Sequence, residues 1–257
     1  MALGVGALFM PPSSPATAQD SQASEATTDL PNLTEAQVER IVRDYLLTNP
    51  EIIEQALATL QLKREREEML RAQKAITDQR ELLFNNQLAP VVGNPDGEVE
   101  MVHLFYYQCG FCKGMAADLA AELGENGRVR AKFKEFPILG PASVLASRVA
   151  MAADRQGKYW DVHQALMSSR QRLSEPVIMA IAQNAGVDME QLRQDMNDPL
   201  FMIHLQENRR MAESLGITGT PGFVIGREIF RGSMTPERLN AAIDQAEPIA
   251  IRDDERG

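Results

Sequence analysis

The chain holds two cysteines, Cys109 and Cys112, three positions apart in FYYQCGFCKGM (residues 105–115), with no third thiol among its 257 residues. What flanks them limits the fold more than any other feature. EVEMVHLFYY, from residue 98, is rich in β-branched and aromatic residues and predicts a strand. CGFCKGMAADLAAELGENG predicts a helix that ends at Gly124 and Gly127. RVRAKFKEFPI predicts a second strand, with Val129, Ala131, Phe133 and Glu135 alternating against Arg130, Lys132, Lys134 and Phe136. The thiols therefore stand where a strand turns into a helix inside a β-α-β unit.

Residues 141–216 predict helices throughout, broken at Gly157, Ser174, Gly186 and Asn197-Asp198-Pro199. GFVIG and EIFRG predict two short strands around Gly226-Arg227, a hairpin signal. Thr235-Pro236 opens a last helix to about Ala246. The order β-α-β, long helical insert, β-β-α makes residues 98–247 an α/β domain, followed by an acidic tail at 248–257. No internal repeat is visible.

The N-terminal third has a different character. The first nineteen residues carry no charge, and an apolar run from Met1 to Met10 precedes Ala16-Thr17-Ala18. Residues 1–18 read as a secretory signal cleaved after Ala18, although no Lys or Arg precedes the apolar run; a disordered apolar terminus is the alternative. The run is about half the ~20 residues that span a bilayer. Residues 19–32 are small and polar and read as a disordered leader. A helical region over 33–88 follows. Thr34 and Gln37 have capping-box spacing, and Val38, Ile41, Val42, Tyr45 and Leu46 form an apolar stripe before Asn49-Pro50. A second helix is predicted from Pro50 to about Gln87, roughly 55 Å at ~1.5 Å per residue. Its Leu62, Met69, Ile76 and Leu83 recur every seven residues. Such a stripe on a charged helix predicts association with copies of this chain; a solvated linker helix is the competing reading.

Two thiols at the start of a helix suit redox exchange. The unpaired N–H groups there and the positive end of the helix dipole stabilise an anion, so Cys109 is the candidate nucleophile. Cys112, one turn inward on the same face, is placed to resolve a mixed disulfide. A structural bridge would close too small a loop to restrain much of the unfolded chain. A closed metal site would need two further ligands beside the thiolates, and His103, His163 and His204 are not spaced as a pair. Neither a cofactor nor a metal is expected. With 26 basic against 36 acidic residues, net charge −10, a nucleic-acid partner is disfavoured.

FYYQCGFC, KEFPILGPASVLASRVAMAA and LGITGTPGFVIG together resemble the DsbA family of thioredoxin-fold thiol:disulfide oxidoreductases. LTEAQVERIVRDYLLTNPEIIEQALATL resembles the N-terminal helices of its ScsC-like group, so the resemblance covers about residues 33–246. It implies a thioredoxin fold with a helical insertion at about 141–200, preceded by an N-terminal α-helical extension. It implies Cys109 as the attacking thiol, Cys112 as the resolving one, and a cis Thr220–Pro221 peptide facing them, against a plain trans turn. Thr220 and Pro221 would bind substrate backbone, and Phe111 would touch unfolded substrate. Two positions depart from the family. His103 stands where relatives often carry a buried acid, and is either a proton relay for Cys112 or a core histidine bonded to backbone. Tyr106 stands where many carry Asp. Glu135 has the reach to approach the site, but a solvent-facing or salt-bridged glutamate is expected.

The resemblance further implies a periplasmic enzyme acting on unfolded or misoxidised exported proteins. Its membrane redox partner would be a DsbD/ScsB-like reductant or a DsbB-like oxidant. The helical extension favours an isomerase or reductase working as a homo-oligomer, by resemblance a trimer, over a monomeric oxidase. A copper-binding or copper-protective protein that uses both thiolates as soft ligands is the alternative.

Overall fold

A computed structural model describes residues 33–247; the expected signal segment, the leader and the acidic tail lie outside them. The helical region begins with α1 (Glu35–Thr48), where the Thr34 N–H donates to Gln37 Oε1 at 2.9 Å, as the capping-box spacing predicts. No residue of α1 is buried. The second helix, α2 (Glu51–Asp78), is shorter than the sequence suggests. It gives way to a single π-helical turn at Glu81–Asn85, after which Asn86 is extended.

Five strands form one mixed sheet in the order β1-β3-β2-β4-β5. β2 (Val99–Phe105) lies parallel to β3 (Val129–Glu135), with Phe105 opposite Glu135. The crossover between them is α3 (Gly110–Glu125). β4 (Gly222–Ile225) runs antiparallel to β2 and turns through Gly226 into β5 (Glu228–Arg231). β1 (Val91–Gly93), not foreseen from the sequence, adds antiparallel to β3. Every residue of β2 is buried, because both faces of this central strand are covered.

The pleat sends alternate residues to two cores. Met101 and Phe105 meet Leu119, Val149 and Leu166 on one face. Val102 and Leu104 meet Ile76, Leu83, Phe84 and Leu215 on the other. The seven-residue stripe of α2 is thereby divided. Leu62 and Met69 are 66% and 58% exposed, while Ile76 and Leu83 are 5% and 0% exposed. The expectation that this stripe finds no core within its own chain is corrected for its second half, where each side chain gains about 1.5–3 kcal/mol by burial.

Two charged side chains enter the same face. Lys132 and Lys134 point from β3 into it and are buried. Lys134 Nζ donates to the Leu82 carbonyl at 2.7 Å, and Lys132 Nζ to those of Asn86 (3.3 Å) and Ala89 (3.1 Å). Burial lowers the Lys134 pKa to about 7.

Five helices follow β3: α4 (Gly140–Asp154), α5 (Tyr159–Ser168), α6 (Glu175–Asn184), α7 (Met189–Asp195) and α8 (Pro199–Ser214), of which the first four fill the expected insertion. Each break read from the sequence falls between two of them. Gly157 and Gly186 take left-handed φ values of 66° and 78° after α4 and α6. Asp188 and Asp198 cap α7 and α8 through their side chains. The chain closes with α9 (Pro236–Gln245), capped by Thr235.

Candidate active site at the start of α3

β2 ends at Phe105, and four residues later Cys109 becomes the N-cap of α3, with extended φ −78° and ψ 113°. Its Sγ accepts the N–H of Cys112 at 3.2 Å. From the other side comes the loop that enters β4. The Thr220–Pro221 peptide is cis, and the Thr220 carbonyl lies 3.4 Å from Cys109 Sγ, accepting from the thiol when it is protonated. Among the described residues the Thr220 hydroxyl is buried without a hydrogen-bond partner. Gly222 follows because a Cβ there would stand 2.6 Å from Ile217 Cγ2. The residues singled out in the sequence as nucleophile, resolving thiol and substrate loop thus converge.

The two sulfurs differ electrostatically. The Cys109 thiol is lowered from its ordinary value to about 5, first by the hydrogen bond from the Cys112 thiol, then by Thr220 and the backbone N–H groups of Cys112 and Phe111, against an opposing penalty of burial. Cys112 is pushed up, by that same hydrogen bond first and by burial second. One sulfur is an anion at neutral pH and its neighbour keeps a proton. Both are nearly covered, at 4% and 1% exposed, while Phe111 between them is 71% exposed. Because the depressed pKa keeps Cys109 ionised until the pH falls through it, its alkylation rate by iodoacetamide should stay flat from pH 8 to about 6. Below about 5 it should drop ten-fold per pH unit. A midpoint near the ordinary ~8.5 would contradict this geometry.

His103 is a core histidine, as one of its two readings has it, but without the backbone hydrogen bond that reading supposed. It is buried on β2, its ring stacks on Phe223 at 4.5 Å, and neither ring nitrogen has a hydrogen-bond partner. Burial lowers its pKa to about 3. The ring packs as an aromatic, bonded neither to backbone nor to Cys112. Tyr106 is buried beside the thiols, and its carbonyl accepts the Cys109 N–H at 3.1 Å.

Glu135 is neither solvent-facing nor salt-bridged, which corrects the expectation for it. It is buried at the end of β3. Its Oε1 accepts from Tyr107 Oη (2.8 Å) and Tyr159 Oη (3.2 Å), and its Oε2 from Ser147 Oγ (2.7 Å). Tyr107 Oη also lies 3.2 Å from His163 Nδ1. Burial outweighs these hydrogen bonds and raises the carboxyl pKa to about 7. Tyr107 sits two residues before Cys109, so this network braces the turn that carries the nucleophile. Tyr107, Ser147, Tyr159 and His163 were not singled out in the sequence. The available signal was parity, which puts Glu135 on the same face as Ala131 and Phe133.

Comparison with known proteins gives a consistent setting. Residues 101–244 match the DSBA-like thioredoxin domain family, and residues 35–67 match the copper resistance protein ScsC N-terminal domain. A thioredoxin-like oxidoreductase from Silicibacter pomeroyi DSS-3 is 38% identical with a TM-score of 0.63, covering 65% of this chain and 96% of its own. Proteus mirabilis ScsC in a transitional conformation is 28% identical with a TM-score of 0.62, covering 83% of this chain and 96% of its own. Among curated proteins, the Na(+)/H(+) antiporter NhaA 1 of Salinispora arenicola is 25% identical over 159 residues, which are 61% of this chain and 24% of the antiporter. The chain therefore spans about a quarter of the length of the curated relatives it matches. Among the described residues no helix is long and apolar enough to cross a membrane.

Proposed function

The chain belongs to the DsbA-like thioredoxin family of thiol–disulfide oxidoreductases, and from that premise we propose that Cys109 exchanges disulfides with exported client polypeptides. The observation that carries this reading is the Cys109 sulfur at the N-cap of α3, accepting the Cys112 N–H and facing the Thr220 carbonyl. The thiolate attacks one sulfur of a client disulfide. A Cys109–client bond forms, the client S–S bond breaks, and the leaving client thiolate takes a proton from solvent. Cys112 then loses its proton and attacks Cys109 Sγ. The second client thiol is released, a Cys109–Cys112 disulfide remains, and two electrons have passed to the client. If instead a different cysteine thiolate of the client attacks the client sulfur held by Cys109, a new client S–S bond forms as the Cys109–client bond breaks, so the client is isomerised and Cys109 returns as a thiolate with no net electron transfer. Run backwards, the same steps make an oxidase. Thr220 and Pro221 would pair with the client backbone by strand addition, and exposed Phe111 would offer an apolar contact.

Isomerase or reductase is the favoured direction, with a membrane redox partner restoring the dithiol and export to the periplasm through residues 1–18. What supports it is the helical region matched to the ScsC N-terminal domain, together with exposed Ile41, Val42 and Tyr45 on α1 and Leu57, Leu62 and Met69 on α2. These suit self-association into an oligomer that surrounds its clients. The purified full chain should sediment as an oligomer and reactivate a scrambled disulfide substrate. In freshly lysed cells, alkylation trapping should find both thiols mostly reduced. A monomer that fails at reactivation and is trapped oxidised would make it an oxidase.

The copper reading keeps one support, the copper-resistance name of the matched N-terminal family. Among the described residues no group of three or more His, Cys, Asp or Glu is placed to hold a metal. It calls for stoichiometric copper binding with no thiol exchange.

A further inference from the structure

Beside the cysteine turn an open cleft of about 790 Å³ runs between the first turn of α3 and the segment that joins α5 to α6. Gln108 and Lys113, the residues flanking the two thiols, line one side, and Arg170 and Arg172 stand on the other. No Asp or Glu lines it, in a chain whose net charge is −10.

The three cations are not equivalent. Lys113 Nζ donates to the carbonyls of Leu166 (2.7 Å), Met167 (3.2 Å) and Ser169 (2.9 Å), so its hydrogens are committed to closing the C-terminus of α5. Arg170 and Arg172 are exposed, and among the described residues neither guanidinium has an ion-pair or hydrogen-bond partner. Local stability does not call for them, since Lys113 already serves the end of α5. The α6 N-terminus that follows at Glu175 is a poor place for positive charge. A solvated loop would be the ordinary explanation of two arginines, but it does not account for their sharing a cleft with the neighbours of both thiols.

Resting on the exchange reading above, we infer that this cleft selects clients by charge. It receives the carboxylates of an acidic stretch beside the client cysteine whose sulfur meets Cys109. Guanidinium forks match carboxylates in geometry and charge. An extended client needs only a few residues, at ~3.3 Å each, to reach from the reacting sulfur into the cleft. The attraction acts mainly on encounter and is screened by salt.

The test uses the reduced full chain and two matched cysteine peptides, each in mixed disulfide with neutral 2-mercaptoethanol. In one the cysteine is flanked by glutamates, in the other by lysines. Cys109 attacks the peptide sulfur, the peptide–mercaptoethanol S–S bond breaks, and the released thiolate takes a proton from water. Cys112 then frees the peptide thiol and leaves the protein disulfide, so two electrons have reduced the probe. Each rate constant is divided by that of dithiothreitol with the same peptide, which removes the peptide's intrinsic reactivity. The acidic-to-basic ratio should be about three to ten for the unaltered chain at low salt. It should fall toward one in about 0.5 M salt, approach one in R170Q/R172Q, and invert in R170E/R172E. Taking a ratio within each protein cancels any change in Cys109 itself. Equal rates for the two peptides, or an unaltered ratio after charge reversal, would overturn the inference while leaving exchange intact. Failure of the unaltered chain to react with either peptide would remove the exchange reading itself, and the inference with it.

Discussion

Replacing Cys109 with serine is expected to lower disulfide exchange by roughly a thousand-fold or more, because a hydroxyl is not ionised at neutral pH and is a far weaker nucleophile. The partner variant should fail differently. Cys112→Ser leaves the first attack in place and removes the second, so covalent mixed disulfides between Cys109 and clients accumulate and dissolve on addition of dithiothreitol. Serine also keeps an O–H at the position whose hydrogen bond contributes most to lowering the Cys109 pKa. Cys112→Ala loses that donor, so the Cys109 titration midpoint should rise in Cys112→Ala well beyond any change in Cys112→Ser. Absorbance of the thiolate near 240 nm follows both titrations. Turnover that survives Cys109→Ser, or mixed disulfides formed equally well without Cys109, would place the chemistry elsewhere.

Glu135→Gln should change the pH dependence of stability by about 3 kcal/mol. The Glu135 carboxyl pKa is raised to about 7 in the fold from an ordinary carboxylate value near 4.5. Between those values the folded protein holds a proton at this site that the unfolded chain has lost. Stability contributed by Glu135 is therefore fully present below about 4.5 and declines as the pH rises through about 7. Glutamine imitates the neutral carboxyl. Its oxygen can accept from Tyr107 and Tyr159, and its NH₂ can donate to Ser147, but it does not titrate. Urea unfolding of both proteins at pH 5 and pH 8 isolates the effect, because every other titrating group is shared and cancels in the difference. Between those two pH values the natural protein should lose about 2.5 kcal/mol relative to the variant. Parallel stability curves would mean that Glu135 is charged throughout.

The features legible in the sequence are those written in neighbouring residues. Cys109 and Cys112 at a strand–helix junction, the Gly219-Thr220-Pro221-Gly222 loop and the helix breaks at Gly157, Ser174, Gly186 and Pro199 each carry a local signal that tertiary packing leaves standing. β1 carries none, since three residues ending at Gly93 are too few to show a period. The α2 stripe misled because one seven-residue repeat served two surfaces, Leu62 and Met69 remaining exposed while Ile76 and Leu83 entered the sheet's second core. The Glu135 network joins β3 to Tyr107, to Ser147 on α4 and to Tyr159 on α5. Residues that distant in the chain meet only once the insertion is folded over the sheet. The surroundings of His103 were hidden for a related reason. Its chemistry was inferred from its position before Cys109, whereas its surroundings are the rings of Phe105, Phe133 and Phe223.

The end of β3 carries Lys134 toward one core and Glu135 toward the other, and both titrate at about 7. Below neutrality this dipeptide is an ammonium beside a neutral acid; above it, a neutral amine beside a carboxylate. Its charge passes from plus one to minus one inside the domain. The glutamate contribution weakens as the solution is made less acid up to about 7, and the lysine contribution, whose folded pKa is depressed, strengthens from there toward its ordinary value near 10.5. Taken by themselves, these two contributions sum to a minimum at neutrality, which the lowered pKa of buried His103 opposes on the acid side.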